Sequence, residues 1–81
     1  MNLEQFIENF AGLFDETPPD AINAGTHFKE LEEWSSLVAL SVIAMVDEEY
    51  DSEFRGDDIR DSQTVEDLFN IVAVRVEEEE F

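Results

Sequence analysis

Apolar positions along this chain recur at the spacing of helix faces. Leu3, Phe6, Ile7, Phe10, Leu13 and Phe14 fall three or four residues apart, the period that brings side chains to one side of an α-helix. Asn2, with Gln5 three residues on, suits the capping position before them. A second run, Leu37 to Val46, contains one polar residue, Ser41, and neither Gly nor Pro, which predicts a helix over 36–50. Its best core stripe is Ala39, Val42, Ile43, Val46 and Tyr50. Thr64 as N-cap opens a further helix whose inward positions are Val65, Leu68, Phe69, Val72 and Val76. Glu66 and Asp67 favour its first turn and Arg75 suits its end. Glu77 to Glu80 place four negative charges at the negative end of that helix, so a frayed, solvated tail is expected over about 77–81.

Between the first two helices, Asp15 to Ser35 contains two groups of turn residues, Thr17-Pro18-Pro19-Asp20 and Asn23-Ala24-Gly25-Thr26. A bare loop of roughly twenty residues is unusual in a small domain. Ile22, Phe28, Leu31 and Trp34 are therefore expected to pin it to the core. Asp57 to Asp61 suits one short helical turn, with Phe54 and Ile59 directed inward. The segment from Asp51 begins like a calcium loop but has Arg55 at the fifth place and Ser62 at the twelfth, where a bidentate Glu is needed. His27, the single histidine, has no second ligand at metal-site spacing and reads as a loop side chain. These elements predict an all-α protein: one domain over 1–81, a small four-helix bundle of three long helices and one short, with the first connection crossing it.

The second helix has one apolar face too many. Leu37, Leu40, Ser41, Ala44 and Glu48 lie away from its core stripe. A few short helices cannot surround it on every side, so part of its first half is expected to await a partner. The alternative is a helix buried all round. Ser35 and Ser36 stand at its mouth, where a hydroxyl can cap free N–H groups and where the same N–H groups and the helix dipole favour an attached anion.

Composition narrows the functions. Hydrophobic residues make up 43% of the 81, including seven Phe, enough for a folded core despite 32% charged residues. Acidic residues number 22 against four basic ones, a net charge of -18. Such a chain repels phosphate backbones and anionic membrane surfaces and attracts basic partners. An acidic mimic of nucleic acid would share this charge. The absence of Cys excludes disulfides, thiolate metal sites and a Cys nucleophile, and fits a reducing compartment. No apolar run approaches ~20 residues, and Met1-Asn2-Leu3-Glu4 lacks the basic flank of a secretory signal. A cytoplasmic protein without membrane insertion is expected. No acid/base pair, activated nucleophile or metal cluster stands out, so independent catalysis is not expected.

Four stretches carry a family resemblance: Thr26-His27-Phe28-Lys29-Glu30-Leu31, Trp34-Ser35-Ser36-Leu37 before the apolar helix, Asp47-Glu48-Glu49-Tyr50-Asp51 at its end, and Thr64-Val65-Glu66-Asp67-Leu68. Together, and over nearly the whole chain, they resemble an acyl carrier protein. In that family the serine of an Asp-Ser-Leu signature at the start of the second helix carries 4'-phosphopantetheine, derived from coenzyme A. Ser36 precedes Leu37 and keeps the family's distance to Tyr50, so the resemblance gives Ser36 the modified position and places Ser35 where the family usually has Asp. Losing that acid removes a negative charge from the place where a transferase would present basic residues or Mg²⁺. Trp34 replaces the small residues often found there.

The resemblance also implies partners. Val38 and Ser41 stand where the family often shows acids, while Glu30, Glu32 and Glu33 precede the helix and Asp47, Glu48, Asp51 and Glu53 close it. Recognition is therefore expected by apolar contact across Leu37, Val38, Leu40, Ser41, Ala44 and Glu48, steered by the surrounding charge. By analogy an acyl chain would fold back among Val42, Met45, Val46, Phe54, Ile59 and Leu68, which otherwise are simply core. The implied function is a monomeric, non-catalytic carrier of acyl thioesters in fatty-acid, polyketide or related biosynthesis. A phosphopantetheinyl transferase would load it, and acyl-loading, condensing and acyl-transfer enzymes with basic docking patches would use it. An aminoacyl or peptidyl carrier would use the same serine chemistry, and a cofactor-free acidic interaction module is the alternative of another class.

Overall fold

Asn2 starts the first helix by accepting the Gln5 N–H on its side-chain oxygen at 3.1 Å. This helix, α1, spans Leu3–Ala11, within a computed structural model that describes residues 2–79, with side chains through 77. The apolar stripe outlasts the helix. At Gly12, a poor helix former, the chain tightens, and the N–H groups of Leu13 and Phe14 reach the carbonyls of Phe10 and Ala11, both at 3.1 Å. Phe14 is thereby still buried although it lies outside α1.

The long connection is fastened rather than free. It contains single 3-10 turns at Pro19–Ala21 and Phe28–Glu30; Ile22 and Phe28 are buried, while Leu31 and Trp34 are half-buried against the core. Phe28 meets Phe10 edge-on at 5.9 Å and Trp34 edge-on at 4.9 Å between ring centroids. That aromatic chain runs from α1 to the residue just before the two serines. Helix α2 spans Ser36–Tyr50 and ends on Asp51, whose φ of 50° is left-handed, a conformation Asp tolerates better than most residues. Helix α3 is the short Gly56–Arg60, and α4 spans Val65–Glu79. Two orphan donors at the start of α4 are met by the crossing loop: Val65 N–H bonds Thr26 O at 3.2 Å and Glu66 N–H bonds Ala24 O at 3.0 Å. Thr64 and Asp67 complete the cap reciprocally, the Asp67 N–H bonding the Thr64 hydroxyl at 3.2 Å and the Thr64 N–H bonding the Asp67 carboxylate at 3.1 Å.

The described residues thus form a small all-helical bundle of three longer helices and one short, without strands. Phe6, Phe10, Phe28, Val42, Val46, Val65, Leu68 and Val72 are its fully buried centre. No described helix is long and apolar enough to cross a membrane.

Helical backbone continues through Glu79, with Val76 half-buried against the core. Glu80 and Phe81 lie outside the described residues. Arg75 stands before the last turn of α4, which holds no basic residue. Its guanidinium bonds both carboxylate oxygens of Asp58, one at 2.8 Å, and the carbonyl of Glu53 at 3.1 Å, clamping α4 to α3 and the segment before it.

Candidate functional site

The two serines at the mouth of α2 have different work. Ser35 is extended and lies outside the helix; its hydroxyl accepts the Val38 N–H at 3.3 Å and its carbonyl accepts the Ala39 N–H at 3.0 Å. It is the N-cap. Ser36 is the first helical residue, exposed, and its hydroxyl bonds no other described residue. At the first two helical positions, the Ser36 and Leu37 N–H groups have no partner within the helix. An exposed, unengaged hydroxyl therefore stands at the positive end of a helix.

Glu33 fixes the approach to this point. Its carboxylate accepts the N–H groups of Asp15 at 2.7 Å, Glu16 at 3.0 Å and Thr17 at 2.8 Å, and also the Thr17 hydroxyl at 2.8 Å. Burial pushes its pKa up, but the bonds from Asp15, Thr17 and Glu16 outweigh it and leave the carboxyl below its ordinary value. The start of the connection after α1 is thus tied to the residue two before Ser35. Periodicity gave no sign of this, because the partners lie 16 to 18 residues away.

Along α2, Leu37 and Leu40 remain 73% and 62% exposed, and Ala44 and Glu48 are exposed on the same side. Ser41 is half-buried and turns its hydroxyl onto the Leu37 carbonyl at 3.1 Å. Val38 departs from the expected docking face: it packs, half-buried, against the core. One residue on from Leu37 the helix has turned ~100°, which carries Val38 round to the inner side.

Val42, Met45, Val46, Phe54, Ile59 and Leu68 come together as the structure's packed interior. Among the described residues, one groove of about 470 Å³ lies between the end of α1 and α2 and another of about 420 Å³ beside Val74 on α4. Of those six residues, Met45 alone reaches either groove. Tyr50 accepts a 3.0 Å hydrogen bond from the Asn9 amide, joining the end of α2 to α1. Burial raises the Tyr50 phenol pKa against the opposing effect of that bond. Among the described residues no group of three His, Cys, Asp or Glu side chains is placed to hold a metal ion.

No family model matches this chain, and neither does a curated protein or a solved structure.

Proposed function

We propose that the chain is a carrier domain of the acyl-carrier type, with 4'-phosphopantetheine attached to Ser36. The observation that carries this reading is the division of labour between neighbours: Ser35 is occupied as the cap, while Ser36 presents an exposed, unengaged hydroxyl at the first position of α2. The residues present fit the group. A phosphodiester on Ser36 would meet the free N–H groups and favourable dipole of a helix N-terminus. When bound, the group supplies a terminal thiol that holds an acyl chain as a thioester. The chain itself contains no Cys.

The protein's own residues hold and present. Glu33 and the Phe28–Trp34 contact keep the connection to Ser35 in place. Leu37 and Leu40 offer exposed apolar contact beside Ser36, and the net charge of -18 draws in a transferase and acyl-handling enzymes with basic docking patches. A mass increase after incubation with coenzyme A, Mg²⁺ and a phosphopantetheinyl transferase, kept in Ser35→Ala and lost in Ser36→Ala, tests the assignment. The competing reading is a cofactor-free acidic interaction module, favoured by the same charge; it predicts no mass increase with any transferase.

A further inference from the structure

We infer that the main chain of residues 15–17 forms a carboxylate-binding site, that Glu33 is its tethered ligand, and that filling the site orders the turn presenting Ser36. Three successive N–H groups, of Asp15, Glu16 and Thr17, converge on the Glu33 carboxylate at 2.7, 3.0 and 2.8 Å, and the Thr17 hydroxyl adds a fourth donor at 2.8 Å. Successive N–H groups aimed at one point make an anion-binding concavity. Among the described residues these donors bond nothing else. Removing the Glu33 carboxylate therefore leaves the whole set open.

Charge identifies the ligand class. The partners of Glu33 are main-chain N–H groups and one hydroxyl, with no cation among them. Asp15 and Glu16 are themselves exposed acids, in a chain of net charge -18. Like charges and burial both favour a neutral carboxyl. Burial does raise the Glu33 pKa, yet the bonds from Asp15, Thr17 and Glu16 bring it below its ordinary value. The site thus selects the ionised form, and hydrogen bonds to an ionised acceptor are the strong ones.

Two residues connect this site to Ser36. Trp34 packs edge-on against Phe28 at 4.9 Å, and Ser35 holds the extended backbone from which it caps Val38 and Ala39. The turn beyond has little else to fasten it: Ser36 and Leu37 are exposed and Val38 is half-buried. An empty site frees residue 33 and loosens the Ser35 cap, so the serine-bearing turn opens locally. Glu33 is in this sense a positioning residue for Ser36. The inference does not require Ser36 to carry a group; only the loading arm of its test rests on the carrier reading.

Glu33→Ala removes a methylene and its carboxylate, which acetate supplies from solution. The test follows the full chain by NMR while acetate replaces chloride at constant ionic strength. In Glu33→Ala the Val38 and Ala39 amides should exchange about fivefold faster than in wild type. Acetate should then shift the amides of residues 15–17 saturably and slow that exchange again, whereas acetamide should do neither. Wild type, its site filled, should not respond. Glu33→Gln, which keeps an uncharged acceptor, should exchange at an intermediate rate. Asp58→Ala, destabilised at another clamp, should keep wild-type exchange at Val38 and Ala39. Loading of Ser36 with coenzyme A, Mg²⁺ and a phosphopantetheinyl transferase should slow in Glu33→Ala and recover with acetate. Three results would overturn the inference: no saturable acetate shifts at residues 15–17 of Glu33→Ala, an equal response to acetamide, or exchange at Val38 and Ala39 that ignores the variant or the acetate. A wild type that accepts no group, while acetate still restores exchange in Glu33→Ala, would sink the carrier reading and leave this one standing.

Discussion

Glu33 holds Thr17 twice, its Oε1 accepting both the Thr17 N–H and the Thr17 hydroxyl at 2.8 Å. With the N–H groups of Asp15 and Glu16 bound as well, one carboxylate closes the loop that leads to the serines. Glu33→Gln should lower the thermal midpoint by a few degrees and Glu33→Ala by more, because several backbone donors lose a charged acceptor.

The same carboxylate makes that difference depend on pH. Burial raises the Glu33 pKa, the bonds from Asp15, Thr17 and Glu16 together lower it by more, and the net direction is down. A carboxyl with a folded pKa below its unfolded one stabilises fully above the unfolded value and loses that contribution as pH falls through the folded value. Wild type and Glu33→Gln should therefore differ at neutral pH and converge in acid. Denaturant midpoints measured for both from neutral pH downwards check this; a gap that widens in acid would contradict it.

Asp58 and Arg75 form the other long-range clamp. The Arg75 hydrogen bonds hold the Asp58 carboxyl below its usual value, against the upward effect of burial and with help from the Arg55 N–H. Asp58→Ala should cost about 2 kcal/mol, the range for hydrogen bonds to charged groups. Urea denaturation in low and high salt should show that cost changing little, since the Asp58 side chain is 15% exposed and screening acts mainly on exposed pairs.

Two buried serines near that clamp should respond oppositely to truncation. The Ser62 hydroxyl donates to the Asp58 carbonyl at 2.8 Å, whereas the Ser52 hydroxyl has no partner among the described residues. Ser62→Ala should cost about 1 kcal/mol, while Ser52→Ala should be neutral or stabilising. Equal losses in the two denaturation curves would contradict the assignment.

What the sequence disclosed is what local chemistry controls. The Asn2 and Thr64 caps, the limits of α2 and the inward positions Ile22 and Phe28 follow from helical period and turn residues near each other in the chain. Leu37 and Leu40 were legible as an exposed apolar face because one helix cannot be covered all round by so few neighbours. Val38 was not: a period of 3.6 residues places a face boundary no better than one position. Glu33 and Arg75 were missed as clamps for another reason. Their partners lie 16 to 22 residues away, and nothing local marks an acid as an acceptor or an arginine as a bridge. The early stop of α1 follows the weak helix former Gly12, whereas α4 runs on through Glu79 beside Val76, half-buried against the core.

The division between Ser35 and Ser36 is the centre of the account. Ser35→Ala should cost about 1 kcal/mol through loss of the cap and still accept the group; Ser36→Ala should leave stability unchanged and accept nothing. Intact mass of the wild type and both variants, before and after coenzyme A, Mg²⁺ and a phosphopantetheinyl transferase, is the most direct measurement. The account predicts one added phosphopantetheine on wild type and Ser35→Ala and none on Ser36→Ala. Loading of Ser36→Ala, or none on the folded wild type with any of several transferases, would contradict it.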